Sequence, residues 1–295
     1  MKRVKVYITG IAGMLGYYLS QAFPENYEIS GCDIVDNKHS QLDLTDYKAI
    51  SKELFRIKPD VIIHTAAMIN VGECQRDWPK AYSVNVDITK SLSILAEELG
   101  ARLIYISTDA VFDGELNRAY SETDNTNALN LYGTTKRLGE LYTLNNPNNL
   151  VLRTNIYGWN YQDKTSFAEW VYNSLRDGKE INMFIDLYYS PIYVGDFYKI
   201  IKQSIMEDLT GLYHCGGGEH CSKYTFAMAL SEIFHLSDST IKMGSFKDMK
   251  FFAQRSPNMK LDSGKISERL NINIPGLYGG LKHFKEDRKL FTEAT

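Results

Sequence analysis

A tyrosine and a lysine four residues apart, Tyr132 and Lys136, have the types and the spacing for acid–base chemistry. In a helix, residues i and i+4 lie on the same face, so the phenol would lie beside the ammonium group. A neighbouring cation stabilises the phenolate and lowers the pKa of a tyrosine, which suits it to proton transfer near neutral pH. The spacing recurs at Tyr198 and Lys202, but only the first pair follows a glycine-rich N-terminus and a strand ending in Ser-Thr.

The second candidate for chemistry is Thr108, which follows an apolar run over residues 102–107 that predicts a β-strand. In open parallel sheets, ligands bind outside the carboxyl ends of the strands. Thr108 would lie at that edge, together with Ala66 and Ala67, which follow another predicted strand over residues 61–64. A lone threonine in a loop is usually a turn residue, but its position here favours a role in the reaction.

Three glycines, Gly10, Gly13 and Gly16, follow a predicted strand over residues 4–9 and lead into a predicted helix. Strand, glycine turn and helix in this order are typical of a dinucleotide-binding unit. The glycines permit close approach of the backbone to a pyrophosphate, and the helix N-terminus supplies free N–H groups. The alternative is an ordinary turn between a strand and a helix.

An acidic residue, Asp33, ends the next predicted strand, 17 residues after Gly16. A carboxylate at this position can accept hydrogen bonds from the adenosine ribose and would repel a 2′-phosphate. We therefore expect NAD(H) or NADP(H) as the cofactor, with NADH slightly favoured. Lys38 and His39 follow and could screen a phosphate, and Asp33 could also be a solvated residue at a strand end.

The composition is that of an ordinary globular protein, with 44% hydrophobic and 23% charged residues in a chain of 295. The net charge of −3 gives no indication of a nucleic acid or a membrane surface as partner. No segment approaches the length of a membrane-spanning helix, and the apolar run near the N-terminus is too short for a signal peptide.

Four cysteines are scattered along the chain without the spacing of a disulfide framework, which predicts a reducing compartment and hence a cytoplasmic protein. Two His-Cys pairs, His214-Cys215 and His220-Cys221, resemble part of a metal site. Their spacing matches none of the usual zinc patterns, so we expect no bound metal.

Strands alternate with helices through the first half of the chain, which predicts a Rossmann-type doubly wound parallel α/β sheet. We expect an NAD(P)-binding domain over residues 1–158. Residues 159–295 would form a smaller C-terminal α/β substrate-binding lobe, interleaved with the last elements of the main domain. Residues 78–98 are predicted to form one long helix, residues 186–192 a loop, and Trp170 to lie on the buried face of a helix in the lobe.

Several short motifs, each occurring once, are spread along nearly the whole chain. They are Gly10-Ile-Ala-Gly13-Met-Leu-Gly16, Leu42-Asp43-Leu-Thr-Asp46, Pro59-Asp60-Val-Ile-Ile, Ser107-Thr108-Asp109-Ala-Val-Phe112-Asp-Gly114, Asn130-Leu-Tyr132-Gly-Thr-Thr-Lys136 and Leu152-Arg153-Thr154. With them the sequence resembles the extended short-chain dehydrogenase/reductases, and within these the dTDP-4-dehydrorhamnose reductases and related nucleotide-sugar reductases.

The resemblance implies a reaction in which hydride from the nicotinamide reaches C4 of a 4-keto-6-deoxy nucleotide sugar. Tyr132 would protonate the oxygen as the alkoxide forms. Lys136 would hold the nicotinamide ribose, and Thr108 would hydrogen-bond the carbonyl oxygen. The cofactor carries out the hydride chemistry, while the protein positions and polarises the substrate.

The resemblance also implies two sets of binding residues. Together with the glycine turn and Asp33, the cofactor set is Gly10, Gly13, Met14, Leu15, Gly16, Asp33, Asp43, Leu44, Ala66, Ala67, Met68, Asn85, Ser107, Tyr132 and Lys136. The substrate set is Thr108, Val111, Phe112, Tyr132, Asn155, Tyr189 and Arg255. Arg255 is the candidate for the diphosphate, since a guanidinium matches phosphate geometry. A nucleotide sugar is the expected partner, and the family allows a homodimer.

Three alternatives stay open. One is a 4-epimerase or dehydratase of the same superfamily, since a dehydratase needs an acid near the catalytic threonine and Asp109 could supply it. Another is a non-catalytic subunit, because the family resembles the regulatory subunit of methionine adenosyltransferase, which binds a dinucleotide. The third is a cofactor-binding domain without a substrate. The sequence departs from the reductases' usual pattern at Asn155, Ala110 and residues 190–192, where the sugar would lie.

Overall fold

The computed structural model describes residues 3–35, 38–162 and 164–288. The strands in these residues are β1 (Val4–Thr9), β2 (Tyr27–Asp33), β3 (Ser40–Gln41), β4 (Val61–His64), β5 (Arg102–Thr108), β6 (Leu150–Thr154), β7 (Ile156–Tyr157), β8 (Ile181–Phe184), β9 (Tyr188–Tyr189), β10 (Ile192–Tyr193), β11 (Gly211–Cys215), β12 (Cys221–Ser222), β13 (Ile241–Gly244) and β14 (Asn258–Met259). Seven of them form a parallel sheet in the order β11-β6-β5-β4-β1-β2-β3. This sheet confirms the predicted doubly wound α/β fold.

Helices cover both faces of the sheet. They are α1 (Met14–Ala22), α2 (Tyr47–Ile57), α3 (Val71–Arg76), α4 (Trp78–Tyr82), α5 (Ile88–Leu99), α6 (Leu131–Leu144), α7 (Phe167–Arg176), α8 (Val194–Met206), α9 (Lys223–Phe234), α10 (Gly264–Leu270) and α11 (Leu277–Glu286). On one face, Val6 and Ile8 of β1 belong to the same buried cluster as Leu19 of α1. On the other face, Tyr7 of β1 packs in a second cluster with Leu54 of α2. Because side chains alternate between the two faces along β1, this strand contributes to both buried clusters.

The central strands of the sheet are buried along their whole length. Every residue of β4, β5 and β6 is buried. Parallel sheets with helices on both faces require such strands, which read as continuous apolar runs rather than alternating ones. For this reason the sequence predicts β1, β4 and β6 with the bounds that the structure shows.

The turn between β1 and α1 needs a glycine at its first position. Gly10 has φ +70°, a left-handed backbone conformation that side chains other than glycine rarely adopt. A Cβ there would lie 2.8 Å from the backbone N of Ala66. The turn therefore passes directly beside the segment that follows β4. Gly13 is the N-cap residue of α1, so the helix N-terminus opens at this turn.

The predicted uninterrupted helix over residues 78–98 is wrong in one respect. A π-turn at Ser83–Asp87 separates α4 from α5, and Asn85 lies within it. Such single-turn insertions are frequent at functional sites because they rotate a side chain out of the regular helical face. The short helix α3 precedes α4 and was not expected from the sequence.

Three small sheets accompany the main sheet: β12-β9-β14 and β13-β8 lie in the C-terminal lobe, and β10-β7 joins the lobe to the segment after β6. Residues 186–192, expected to be a loop, therefore contribute β9 and the start of β10. Trp170 is 42% exposed, so its predicted burial in α7 is wrong; Val171 and Leu175 carry the buried face instead. Trp170, one residue before Val171, points to the solvent side of α7.

The lobe and the main sheet share elements and a core. Strand β11 lies beyond residue 158 but pairs with β6 at the edge of the main sheet. One buried cluster includes Val6 of β1 and Phe284 of α11. The division of the chain at residue 158 stays a prediction. Among the described residues, no helix has the length and apolar character needed to cross a membrane.

Candidate active site

Helix α6 carries Tyr132 and Lys136 towards the carboxyl end of β5. Its N-cap residue, Asn130, accepts a hydrogen bond from the Gly133 backbone N–H at 3.0 Å and donates one to the Gln254 carbonyl at 2.8 Å. A Cβ on Gly133 would collide with the carbonyl oxygen of Ala110. The glycine thus lets α6 lie directly against the turn after β5, which brings the helix to the strand end.

The ammonium of Lys136 is buried, and it lies 4.1 Å from the centroid of the Tyr105 ring. Burial lowers the pKa of Lys136 to about 7, and the negative charge of Glu140, one helical turn further along, opposes this change. Near neutral pH this lysine can therefore exist in both protonation states.

The pKa of Tyr132 shifts upwards, opposite to the direction expected from an adjacent ammonium. Burial is the main cause, and the negative charges of Asp109 and Cys74 add to it. A hydrogen-bonding interaction with the Thr108 side chain lowers the pKa in part. The predicted net lowering of the Tyr132 pKa is thus wrong, because desolvation of the phenolate dominates.

Thr108 ends β5, and its hydroxyl group begins the next turn. Its Oγ1 accepts a hydrogen bond from the Ala110 N–H at 3.1 Å and donates one to Asp109 Oδ1 at 3.1 Å. It also interacts with the Tyr132 phenol. The structure therefore brings Thr108 and Tyr132 together from two separate elements, and Lys136 follows one helical turn after Tyr132 in α6.

Asp109, for which the sequence indicated only an alternative role, has a buried carboxyl group beside Thr108. Its Oδ2 accepts a hydrogen bond from Asn155 Nδ2 at 2.5 Å. Burial raises the pKa of Asp109 to about 6, although the hydrogen bonds from Asn155 and Thr108 and the charge of Lys223 lower it. Asn155, predicted to contact substrate, is therefore fixed next to Thr108 by this carboxyl group.

Ser107 and Asn85 form hydrogen bonds with residues of the elements that carry the site. The Ser107 hydroxyl donates to Glu140 at 2.6 Å, and Arg153 pairs with the same carboxylate at 2.7 Å. The side-chain oxygen of Asn85 accepts a hydrogen bond from the Met68 N–H at 2.8 Å, and its side-chain nitrogen donates one to Thr135 Oγ1 at 3.0 Å. The π-turn thus ties the segment after β4 to α6.

On the cofactor side, the structure places Asp33 against the glycine turn. Its Oδ2 accepts a hydrogen bond from the Ala12 N–H at 3.0 Å, and its Oδ1 accepts one from the Val35 N–H at 3.3 Å. A cavity of about 280 Å³ adjoins this turn. Its lining residues include Ile11, Ala12, Tyr17, Lys38, His39 and Tyr161.

The other predicted cofactor residues make contacts within the fold. Met14 begins α1, whereas the Leu15 side chain is buried in the core. The Asp43 carboxylate accepts two hydrogen bonds from Thr45, and Leu44 packs against the second core cluster. Their contacts with a cofactor stay predictions.

The predicted substrate residues fall into two groups. Val111 and Phe112 are fully buried, and Phe112 stacks on Tyr120 with the ring centroids 4.1 Å apart. Their side chains therefore pack beneath the turn after β5. Tyr189 and Arg255 lie in the C-terminal lobe, with the Arg255 guanidinium 5.2 Å from the Phe251 ring centroid. Contacts of all four with a substrate stay predictions.

Lys223, at the start of α9, has no sequence motif that marks it, yet its ammonium lies 3.3 Å from the centroid of the Tyr189 ring. The negative charge of Asp109 and the positive charge of Arg255 both act on it. Only its contacts in the fold distinguish it.

The parallel sheet, the glycine turn and the Thr108–Tyr132–Lys136 group together define an extended short-chain dehydrogenase/reductase. The family model described as the RmlD substrate binding domain matches residues 4–289. The chain belongs to this family.

Similar proteins include both a reductase and a subunit of a different enzyme. The dTDP-4-dehydrorhamnose reductase of Aggregatibacter actinomycetemcomitans is 28% identical over 297 residues, covering 95% of this chain and 98% of its own. Methionine adenosyltransferase 2 subunit beta of Rattus norvegicus is 33% identical over 279 residues, covering 91% of this chain and 83% of its own. The crystal structure of dTDP-4-dehydrorhamnose reductase from Bacillus anthracis in complex with NADP has a TM-score of 0.88 and 27% identity, covering 97% of this chain and 99% of that one.

Proposed function

We propose that the protein is an NAD(P)H-dependent reductase of the C4 keto group of a 4-keto-6-deoxy nucleotide sugar. The observation that supports it most is the group formed by Thr108, Tyr132 and Lys136 at the carboxyl end of β5. In an open parallel sheet this edge is where ligands bind. The similarity to dTDP-4-dehydrorhamnose reductases over nearly the whole chain agrees with this reaction.

The residues around the glycine turn fit a dinucleotide. A side chain at Gly10 would collide with Ala66, so the glycine allows the tight turn between strand and helix that is typical of pyrophosphate binding. The N-terminus of α1 opens at Gly13 and would favour its negative charge. When bound, the nicotinamide supplies the hydride. Lys136 would hold the nicotinamide ribose hydroxyls.

Tyr132 acts as the proton donor. Its raised pKa keeps the phenol protonated at neutral pH, so it holds the proton that the C4 oxygen needs as the alkoxide forms. The Thr108 hydroxyl would hydrogen-bond the same oxygen and align the carbonyl. The proton moves from Tyr132 Oη to this oxygen, and the charge of Lys136 stabilises the phenolate that is left.

NADH is the slightly favoured cofactor. The Asp33 carboxylate is fixed by two backbone N–H groups beside the glycine turn. A carboxylate at the end of this strand would accept a hydrogen bond from a ribose 2′-hydroxyl and would repel a 2′-phosphate. Lys38 and His39 line the adjoining cavity and would offset part of that repulsion, so NADPH should also be accepted.

A second candidate function is that of a dinucleotide-binding subunit that acts through a partner protein. The identity to the beta subunit of methionine adenosyltransferase 2, 33%, exceeds the 28% to the reductase of Aggregatibacter actinomycetemcomitans. Such a subunit would bind cofactor without turnover. The group formed by Thr108, Tyr132 and Lys136 favours the reductase.

Absorbance at 340 nm, measured with purified protein, NADH or NADPH, and a panel of 4-keto-6-deoxy nucleotide sugars, tests the proposal. We expect oxidation of the cofactor with at least one member of the panel, and faster oxidation with NADH. Cofactor binding without oxidation by any member would reject the reductase and favour the subunit.

A further inference from the structure

Helix α6 carries a buried carboxylate on the same face as Tyr132 and Lys136. Glu140 follows Lys136 by four residues, and Lys136 follows Tyr132 by four, so the three side chains lie in one row along the helix. The Glu140 side chain is fully buried. Side chains at this spacing are neighbours on a helix, with their Cβ atoms about 5–6 Å apart. The carboxylate therefore lies one helical turn from the ammonium group of Lys136.

Four hydrogen bonds hold the Glu140 carboxylate in place. Its Oε1 accepts from the Ser107 hydroxyl at 2.6 Å and from Arg153 Nε at 2.8 Å. Its Oε2 accepts from Arg153 Nη2 at 2.7 Å and from Arg137 Nη1 at 3.1 Å. Hydrogen bonds from two guanidinium groups favour the ionised carboxylate. Arg153 Nη1 also lies 3.3 Å from Nε2 of His214 in β11, but burial lowers the pKa of this histidine to about 3, so it adds no charge at neutral pH.

Stability of the fold does not by itself account for this buried charge. Replacing a buried ion pair, such as that of Glu140 and Arg153, with apolar side chains of similar volume is often neutral or stabilising. A helix that only had to pack against the sheet could therefore carry an apolar residue in place of Glu140.

The other titratable groups that face Lys136 carry no charge at neutral pH. The ring centroid of Tyr105 in β5 lies 4.1 Å from the ammonium, and burial raises the pKa of Tyr105 well above its ordinary value, as it raises that of Tyr132. Burial lowers the pKa of His64 in β4 to about 3. Among the described residues, no salt bridge involves Lys136. Burial lowers the pKa of Lys136 to about 7, and the charge of Glu140 acts in the opposite direction.

We propose that Glu140 is a positioning residue of the candidate active site, whose fixed carboxylate keeps the buried Lys136 in its charged, ammonium form. This rests on the proposed function, in which the charge of Lys136 stabilises the phenolate that remains when Tyr132 gives up its proton. Without Glu140, burial would favour the neutral amine, which offers no such charge. Glu140 thus acts on the reaction through Lys136.

An NMR titration of Lys136 tests the assignment without turnover. The full-length protein is labelled with carbon-13 at the lysine Cε, and the Lys136 signal is assigned by its loss in Lys136→Arg. We expect the wild type to titrate near pH 7. Glu140→Gln keeps an oxygen that can accept from Ser107 but removes the charge. The midpoint of the Lys136 titration should therefore fall by about one pH unit, a tenfold change in the dissociation constant of the proton.

The double variant Glu140→Gln/Arg153→Met separates the charge from the packing. In Glu140→Gln alone, Arg153 stays buried without its carboxylate, which costs stability. The double variant removes both charges, and we expect it to fold and to keep a lowered Lys136 midpoint. If Glu140→Gln does not fold, as judged by circular dichroism, the double variant takes its place. A role of Glu140 in packing alone would return the Lys136 midpoint of the double variant to the wild-type value.

Glu53→Gln is the matched control. The Glu53 carboxylate in α2 likewise accepts a hydrogen bond from a serine, Ser40, at 3.0 Å and pairs with an arginine, Arg56, at 2.9 Å. Its charge is not placed one helical turn from Lys136, so this variant should leave the Lys136 midpoint unchanged.

An equal Lys136 midpoint in the wild type and in the folded Glu140 variants would overturn the assignment. In turnover, the pH above which kcat falls should move lower in Glu140→Gln by the same amount, while KM changes little. If the Lys136 midpoint falls as expected but no 4-keto sugar is reduced, the assignment of Glu140 stands while the reductase proposal fails.

Discussion

Burial sets the protonation states of the side chains nearest the proposed reaction. It raises the pKa of Tyr132 and of Asp109, and it lowers the pKa of Lys136 to about 7. In each case burial removes the water that would stabilise the charged form of the side chain. At neutral pH the site therefore holds a protonated phenol, which is the proposed proton donor, and a lysine one helical turn away that can change its charge.

Replacing Tyr132 with phenylalanine removes the proton donor and leaves the ring in place. We expect kcat to fall by about 10²–10⁴-fold, the usual contribution of a positioned acid. The dissociation constant for NADH should change little. Tyr278→Phe is the matched control, because Tyr278 has a lysine at the same spacing but is exposed and bonded to Glu232. Full activity in Tyr132→Phe would remove this tyrosine from the mechanism.

Asp109 should make the protein less stable as the pH rises from about 4 to 6. The unfolded chain loses the Asp109 proton near its ordinary pKa, whereas the folded protein keeps it up to about 6. In this window the folded state binds more protons, so the free energy of unfolding falls with rising pH. Asp109→Asn removes this titration and should gain up to about 3 kcal/mol over the wild type above pH 6.

Urea denaturation at several pH values measures this difference, with Asp238→Asn at an exposed position as the control. The advantage of Asp109→Asn should be absent below pH 4, grow between pH 4 and 6, and then stay constant. A difference that is the same at every pH would show that burial of the charge is not the cause.

At the level of elements, the site depends on how closely α6 lies against the turn after β5. The contact is made at Gly133, where any side chain would meet the carbonyl oxygen of Ala110. Tyr132, one residue earlier in the helix, is placed by the same contact. A small displacement of α6 should therefore change catalysis as well as stability.

The variant Gly133→Ala tests this dependence. Alanine improves helix propensity by about 0.5–1 kcal/mol over glycine, but overpacking against Ala110 should cost about 1–3 kcal/mol. We expect lower stability and a clear loss of turnover. Gly72→Ala in α3 is the control, because its Cβ would meet only side-chain atoms at ordinary distances, Arg76 at 3.4 Å and Asn70 at 3.5 Å. If both variants behave alike, the close packing of α6 is not required.

The elements that local sequence patterns determine were the ones predicted correctly. Strands β1, β4 and β6 are mostly apolar runs, and the glycine turn has its own spacing. The π-turn at Asn85 depends on contacts with Met68 and Thr135, which no local pattern encodes. Likewise, the upward pKa shift of Tyr132 and the position of Lys223 follow from burial among residues distant in the chain.

At the scale of the whole molecule, one core connects the main sheet to the C-terminal lobe. Phe284 of α11 stacks on Trp159 with the ring centroids 4.1 Å apart, and its carbonyl accepts the Trp159 indole N–H at 2.8 Å. The hydroxyl groups of Tyr18 in α1 and Tyr193 in β10 both donate to Asp287. The two parts should therefore unfold together.

The substitution Phe284→Ala should lower the free energy of unfolding by about 3–5 kcal/mol, as expected for a large buried side chain. Because the core is shared, circular dichroism and tryptophan fluorescence should report the same single urea transition. Phe252→Ala is the control, since Phe252 is 72% exposed. Two separate transitions in the wild type would show that the lobe is an independent unit.

Transfer of deuterium from NADH labelled at C4 of the nicotinamide tests the central claim most directly. The labelled cofactor is incubated with the protein and a 4-keto-6-deoxy nucleotide sugar, and the product is analysed by mass spectrometry and NMR. We predict one deuterium at C4 of the sugar, with one NADH consumed for each product molecule. Deuterium that stays on the cofactor while the sugar changes configuration, or no product at all, would contradict the account.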